Sequence, residues 1–132
     1  MATTTAAITL SSTDLTSDAL SLSKTATLTK AGTTTGLTQT GGLGRKTTSS
    51  SSQYTLFDAT DTQYTDDKAT KVYVLNTSST ATEYFIITIG TQVVGRIYAG
   101  DWALIPWAST ADFKITPSES TEMTLEYMVI FE

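Results

Sequence analysis

All twelve aromatic side chains of this 132-residue chain lie at or after Tyr54; residues 1–53 carry none. Aromatic residues supply much of the area that a small core buries, so the first 53 residues lack the means to close a core of their own. Charge divides in the same way. Through residue 65, four acids (Asp14, Asp18, Asp58, Asp61) balance four bases (Lys24, Lys30, Arg45, Lys46), and the whole excess of −5 lies beyond that point. The length is that of a single domain. Together these features predict an extended N-terminal arm over 1–53 and a compact domain over 54–132.

Thirty of the residues are Thr, whose branched β-carbon favours strands over helices. The arm carries a period-two pattern at 19–30 (ALSLSKTATLTK): Leu20, Leu22, Ala26 and Leu28 fall on one face and hydroxyl side chains on the other, as in a half-buried strand. Ile8 and Leu10 form a shorter version in AAITLSS. The stretch 32–52 is rich in Gly, Thr and Ser and reads as loop. One thin apolar face needs a partner surface, and the expectation is that the arm docks on another subunit.

Beyond residue 53, strand signals are dense. They fall at 54–58 (YTLFD), 72–76 (VYVLN, apolar on both faces and hence interior), 83–89 (EYFIITI), 92–98 (QVVGRIY), 102–105 (WALI), 112–116 (DFKIT) and 123–131 (MTLEYMVIF). Gly90-Thr91 marks a tight hairpin turn between the third and fourth. Pro106 stops the fifth because it cannot donate to a ladder. The sixth is expected to pair with the last across 117–121, and Met123, Leu125, Tyr127, Val129 and Phe131 share one face of that last strand. With no helical period anywhere, the fold class is all-β: an antiparallel β-sandwich or jelly-roll-like barrel bearing an extended Thr/Ser-rich arm.

The chain has no His and no Cys, which excludes a Ser-His-Asp triad, a thiol nucleophile, His- or Cys-ligated zinc and disulfides. Its acidity argues against nucleic acid as a partner, since phosphates are met by clustered Lys and Arg. No apolar run approaches the ~20 residues of a membrane span, and 1–10 lacks the basic start and apolar centre of a secretory signal. The nearest approach to a phosphate loop, GGLGRKT at 41–47, places Arg45 between the Gly and the Lys and leads into Ser rather than a helix. Asp58, Asp61, Asp66 and Asp67 are oxygen ligands of the kind that Ca²⁺ takes, without the spacing of a calcium loop. Glu83, Asp101 and Glu126 are the carboxylates a glycosidase would pair, but short loops leave little room for a sugar cleft. Asn76-Thr77-Ser78 matches a glycosylation sequon. Trp102 aligns with Leu104 and is expected in the core, whereas Trp107, beyond Pro106, is expected at an interface. No enzyme and no cofactor are expected.

The segments DDKATKVYVLNTSSTATEY (66–84), YAGDWALIPW (98–107) and TLEYMVIF (124–131) resemble small β-rich virion proteins of tailed bacteriophages, particularly those infecting cyanobacteria. The resemblance covers roughly 54–131 and implies a structural part of the virion: head decoration (cement), or a collar, tail or fibre component. Its implied partners are the major capsid protein or other virion proteins, with the chain expected as a homo-oligomer on the particle surface. The arm matches no such motif. The expected assembly contacts come from the physical reading: Ile8, Leu10, Leu20, Leu22 and Leu28 on the arm, the loop cations Arg45 and Lys46, and Trp107. A carbohydrate-binding module using Trp107 and nearby Tyr side chains is the alternative outside the structural class.

Overall fold

The computed structural model describes residues 3–15, 17–64 and 68–132, and among these there is no helix. Eleven strands appear among the described residues: β1 (Thr4–Ser12), β2 (Leu20–Leu28), β3 (Gln39–Thr40), β4 (Gly44–Thr48), β5 (Tyr54–Phe57), β6 (Lys71–Asn76), β7 (Tyr84–Ile89), β8 (Gln92–Tyr98), β9 (Trp102–Pro106), β10 (Phe113–Pro117) and β11 (Met123–Phe131). They form three antiparallel sheets. The first has the order β5-β10-β7-β8; the second runs β3-β11-β6-β9, with β4 also paired to β11; the third is the hairpin β1-β2.

The first two sheets face each other as an open sandwich. Alternation along each strand sends one set of side chains inward: Phe57, Phe85, Ile87, Ile97, Phe113 and Ile115 from one sheet meet Val72, Val74, Met123, Leu125, Val129 and Phe131 from the other. Each of the seven strand segments expected beyond residue 53 is present. β7 and β8 form the expected hairpin, with Gly90 at φ +62°, a conformation that costs glycine nothing. β6 is central and apolar on both faces, with Val72 and Val74 inward and Tyr73 and Leu75 on the outer side.

One expected pairing is corrected. The strand expected over 112–116 does not pair with the one over 123–131: β10 lies between β5 and β7, and β11 lies between β4 and β6 in the opposite sheet. Both strands need to bury one face. Placed in different sheets, Phe113 and Ile115 cover Leu125 and Val129 across the core instead of lying beside them.

The compact part also begins well before Tyr54. β4 pairs with β11 over five positions, Met123↔Thr48 through Tyr127↔Gly44, and β3 adds Gln39 and Thr40 beside Phe131 and Ile130. Leu37 is fully buried in a small second core with Leu28 and Ile130. The stretch 32–52 read as loop therefore carries two strands, which finish the edge of the second sheet. What stands apart as a separate sheet is the hairpin β1-β2.

Candidate functional site

The hairpin register sets its chemistry. Antiparallel partners share a face, and the pairs Ala6↔Ala26, Ile8↔Lys24, Leu10↔Leu22 and Ser12↔Leu20 place Ala6, Ile8, Leu10, Leu20, Leu22, Ala26 and Leu28 together. The other face presents Thr5, Thr9, Ser11, Ser21, Ser23, Thr25 and Thr27, all exposed. The two strands that the sequence marks as apolar on one side thus pair with each other, and their apolar faces coincide.

Full burial on that face is confined to its base. Leu28 is 7% exposed and packs with Leu37 and Ile130, with Ala6, Ala69 and Met128 against them. The chain is tied down there by Leu37 N–H donating to Leu28 O (2.9 Å) and by Ala31 N–H donating to the Glu132 carboxylate (3.2 Å). The same carboxylate meets Lys68 at 3.6 Å. Further out, Ile8, Leu22 and Leu10 are 40%, 38% and 47% exposed.

Opposite the open half lies the outer face of the second sheet. Its register aligns three cross-strand rows: Pro106-Lys71-Ile130, Leu104-Tyr73-Met128 and Trp102-Leu75-Glu126. Hairpin and sheet together enclose a cleft of about 990 Å³. Its walls include Ile8, Leu10 and Ala26 on one side and Tyr73, Leu104 and Met128 on the other, with Trp102 also in the lining. Two cations border it. Lys24 projects from the centre of the hairpin's apolar face, and the Arg96 guanidinium lies 4.7 Å over the Tyr84 ring. Asp101, also at the cleft, accepts from Tyr98 N–H at 2.9 Å. Burial, with the negative charge of Glu126 nearby, pushes the Tyr73 phenol above its ordinary range, so Tyr73 itself presents an uncharged hydroxyl.

The expected contact residues are partly brought together. Ile8, Leu10, Leu20, Leu22 and Leu28 share one face. Arg45 and Lys46 lie elsewhere, on β4, and both are engaged within the chain: Arg45 pairs with Glu126 at 3.3 Å and the Lys46 ammonium sits 5.1 Å over the Tyr54 ring. Trp107 is corrected outright. It is 2% exposed, in a ring cluster with Phe57, Tyr64 and Phe113, and its indole N–H donates to Ala111 O at 2.8 Å. Trp102, expected inside, is 53% exposed. The reason is parity. Trp107 N–H bonds to Thr70 O, continuing past Pro106 the inward row of Ala103 and Ile105, whereas Trp102 and Leu104 share the outward row.

Several residues of the other candidate chemistries are engaged within the chain. Residues 44–47 of the glycine-rich motif lie in strand β4 rather than in an anion-binding loop. Asp58 accepts from Thr60 N–H and hydroxyl (2.8 and 2.7 Å), which holds its carboxyl below the ordinary range, and Asp61 accepts from Gln63 N–H. Asp66 and Asp67 lie outside the described residues. Among the described residues no cluster of three acids, His or Cys is placed to hold a metal. Glu83 hydrogen-bonds Ser78, Asp101 caps the β8–β9 turn and Glu126 pairs with Arg45, so each carboxylate of the glycosidase reading is engaged locally. The sequon residue Asn76 is fully buried, its amide committed to the Glu83 and Ile97 carbonyls.

Sequence reasoning missed the sheet wall of the cleft and the cation on the hairpin. The signal for the first is in VYVLN, whose second apolar face, Tyr73 and Leu75, calls for a cover. The signal for the second is the parity of Lys24, which matches Leu22 and Ala26. No protein-family model, curated protein or solved structure matches this chain.

Proposed function

We propose that this chain is a non-enzymatic structural protein of a tailed-phage particle, a decoration protein that docks on capsid subunits through its hairpin. The observation that carries the docking part is the half-covered apolar face of β1-β2 above an apolar sheet wall. Leaving the exposed parts of Ile8, Leu10 and Leu22 in water forgoes roughly 0.5–1.5 kcal/mol each, and a partner surface recovers it. The seven hydroxyls on the reverse face stay hydrated in the docked state. The phage assignment rests on the sequence resemblance at 66–84, 98–107 and 124–131.

Co-sedimentation tests the reading. The purified chain is mixed with phage heads assembled without it and, separately, with isolated tails. Saturable binding to heads in fixed ratio to capsid subunits is expected. Binding to tails alone moves the protein to the tail, collar or fibre, and binding to neither contradicts the proposal.

The exposure of Trp102 favours one second reading, a carbohydrate-binding face, because an exposed indole is a platform for sugar rings. Glycan binding lost in Trp102→Ala and retained in Leu22→Asp would favour it over capsid docking.

A further inference from the structure

The cleft contains a second unfinished feature beside its apolar walls. β9 ends the order of the second sheet, so one of its edges has no strand partner among the described residues. Two bonds set the phase of its backbone: Trp107 N–H donates to Thr70 O and Asn76 N–H donates to Asp101 O, each at 3.0 Å. Antiparallel pairs alternate between bonded and non-bonded. Ala103 and Ile105 therefore direct their backbone groups to β6, while Trp102 and Leu104 direct theirs outward. Pro106 has no N–H to offer, which limits the available edge to the stretch that lines the cleft. An exposed edge of this kind is a template for strand addition.

Lys24 supplies the third requirement. Ile8↔Lys24 is the fifth of nine register pairs, the midpoint of the hairpin, and among the described residues Lys24 makes no ion pair. A second hairpin packed face to face brings no acid to Lys24: a two-fold axis across the strands at that midpoint sets Lys24 against Lys24, one along the strands sets it over Ile8, and a charge is buried unpaired either way. The face is thus poorly suited to its own copy and suited to a partner that brings a carboxylate.

We infer that the cleft receives an extended segment of a partner protein, added as a strand to the edge of β9, with apolar side chains toward the hairpin and an acidic residue opposite Lys24. The inference rests on the docking reading and specifies its partner. Main-chain hydrogen bonds to Trp102 and Leu104 give the segment its register, the apolar walls cover its side chains, and Lys24 selects its charge.

The test uses the full chain and four synthetic ten-residue peptides of alternating Val and Ser, followed by fluorescence anisotropy. Three carry Glu, Gln or Lys at the central Val position; the fourth is the Glu peptide with N-methyl groups along one backbone edge. The Glu peptide is expected to bind about tenfold tighter than the Gln peptide, a factor within reach of one close charge pair. Lys24→Glu should reverse the order, so that the Lys peptide binds best, while its thermal melt stays that of the parent. N-methylation should abolish binding. Equal binding of the N-methylated peptide, an order indifferent to Lys24, or no binding up to millimolar concentration overturns the inference. So does sedimentation showing the cleft closed by a second copy in a dimer that Lys24→Glu changes. If the peptides fail while Leu22→Asp still abolishes particle binding, the strand is wrong and the docking reading stands.

Discussion

The side-chain amide of Asn76 donates to the carbonyl of Ile97 at 3.2 Å, and so ties the end of β6 in one sheet to β8 in the other. The same amide donates to Glu83 O, its oxygen accepts from Ser78 N–H, and Gly100 N–H donates to the Asn76 carbonyl. A single buried residue thus closes the corner where the chain passes from the first sheet into the second beside the cleft.

Asn76→Leu keeps the branched outline in a somewhat larger side chain and removes the three side-chain bonds, leaving the Glu83 and Ile97 carbonyls without their donor. Unmet buried groups of this kind cost on the order of 2–3 kcal/mol, which for this length lowers the melting temperature by roughly 10 °C. Thermal unfolding followed by circular dichroism measures it. A change of only a degree or two would show that the corner holds without the amide.

The two tryptophans should behave oppositely. Trp107→Ala opens a cavity among Phe57, Tyr64 and Phe113 and should cost about 3–5 kcal/mol. Trp102→Ala, on the outer row, should leave stability within about 1 kcal/mol. Urea titration of both variants compares them directly, and equal losses would contradict the assignment of Trp102 to the cleft wall.

That reversal shows where the sequence stops being legible. Period two announces each strand, and it announces one apolar side for β2 and two for β6, because alternation is a local property of the chain. Which side faces the core is not local. The parity of Trp102 and Trp107 depends on whether the ladder continues through Pro106, and it does, through Trp107 N–H and Thr70 O. Sheet membership is equally non-local: DFKIT and MTLEYMVIF alternate alike, and only the need to cover one core from both sides separates β10 from β11. The hairpin's apolar side was legible; its pairing and Lys24's place on it required the register.

Alkaline pH probes the aromatic cluster. Burial raises the Tyr64 phenol above its ordinary value of 10.0, and the charges of Asp61 and Tyr127 add to the shift. Between the unfolded and folded values the unfolded chain has already released the proton that the folded chain retains, so stability falls as pH rises through that interval. Below pH 10 this group contributes no pH dependence. Tyr64→Phe should melt with a shallower decline above pH 10 than the parent chain, read from melting temperatures between pH 8 and 11. Parallel declines would show that Tyr64 ionises as freely in the fold as out of it.

The central claim is that the outer half of the hairpin's apolar face exists to meet a partner. Leu22→Asp tests it most directly, by placing a charge on that face at a position already 38% exposed. In the isolated protein the carboxylate stays in water; in a docked complex it is buried without a partner, at a cost that prevents docking. Melting and co-sedimentation with particles lacking this protein are measured on the same preparation. The account predicts a melting temperature within a few degrees of the parent and a loss of incorporation of at least about tenfold, the equivalent of ~1.4 kcal/mol. A protein that melts much earlier, yet incorporates normally per folded molecule, would show that the face serves its own fold and contradict the account.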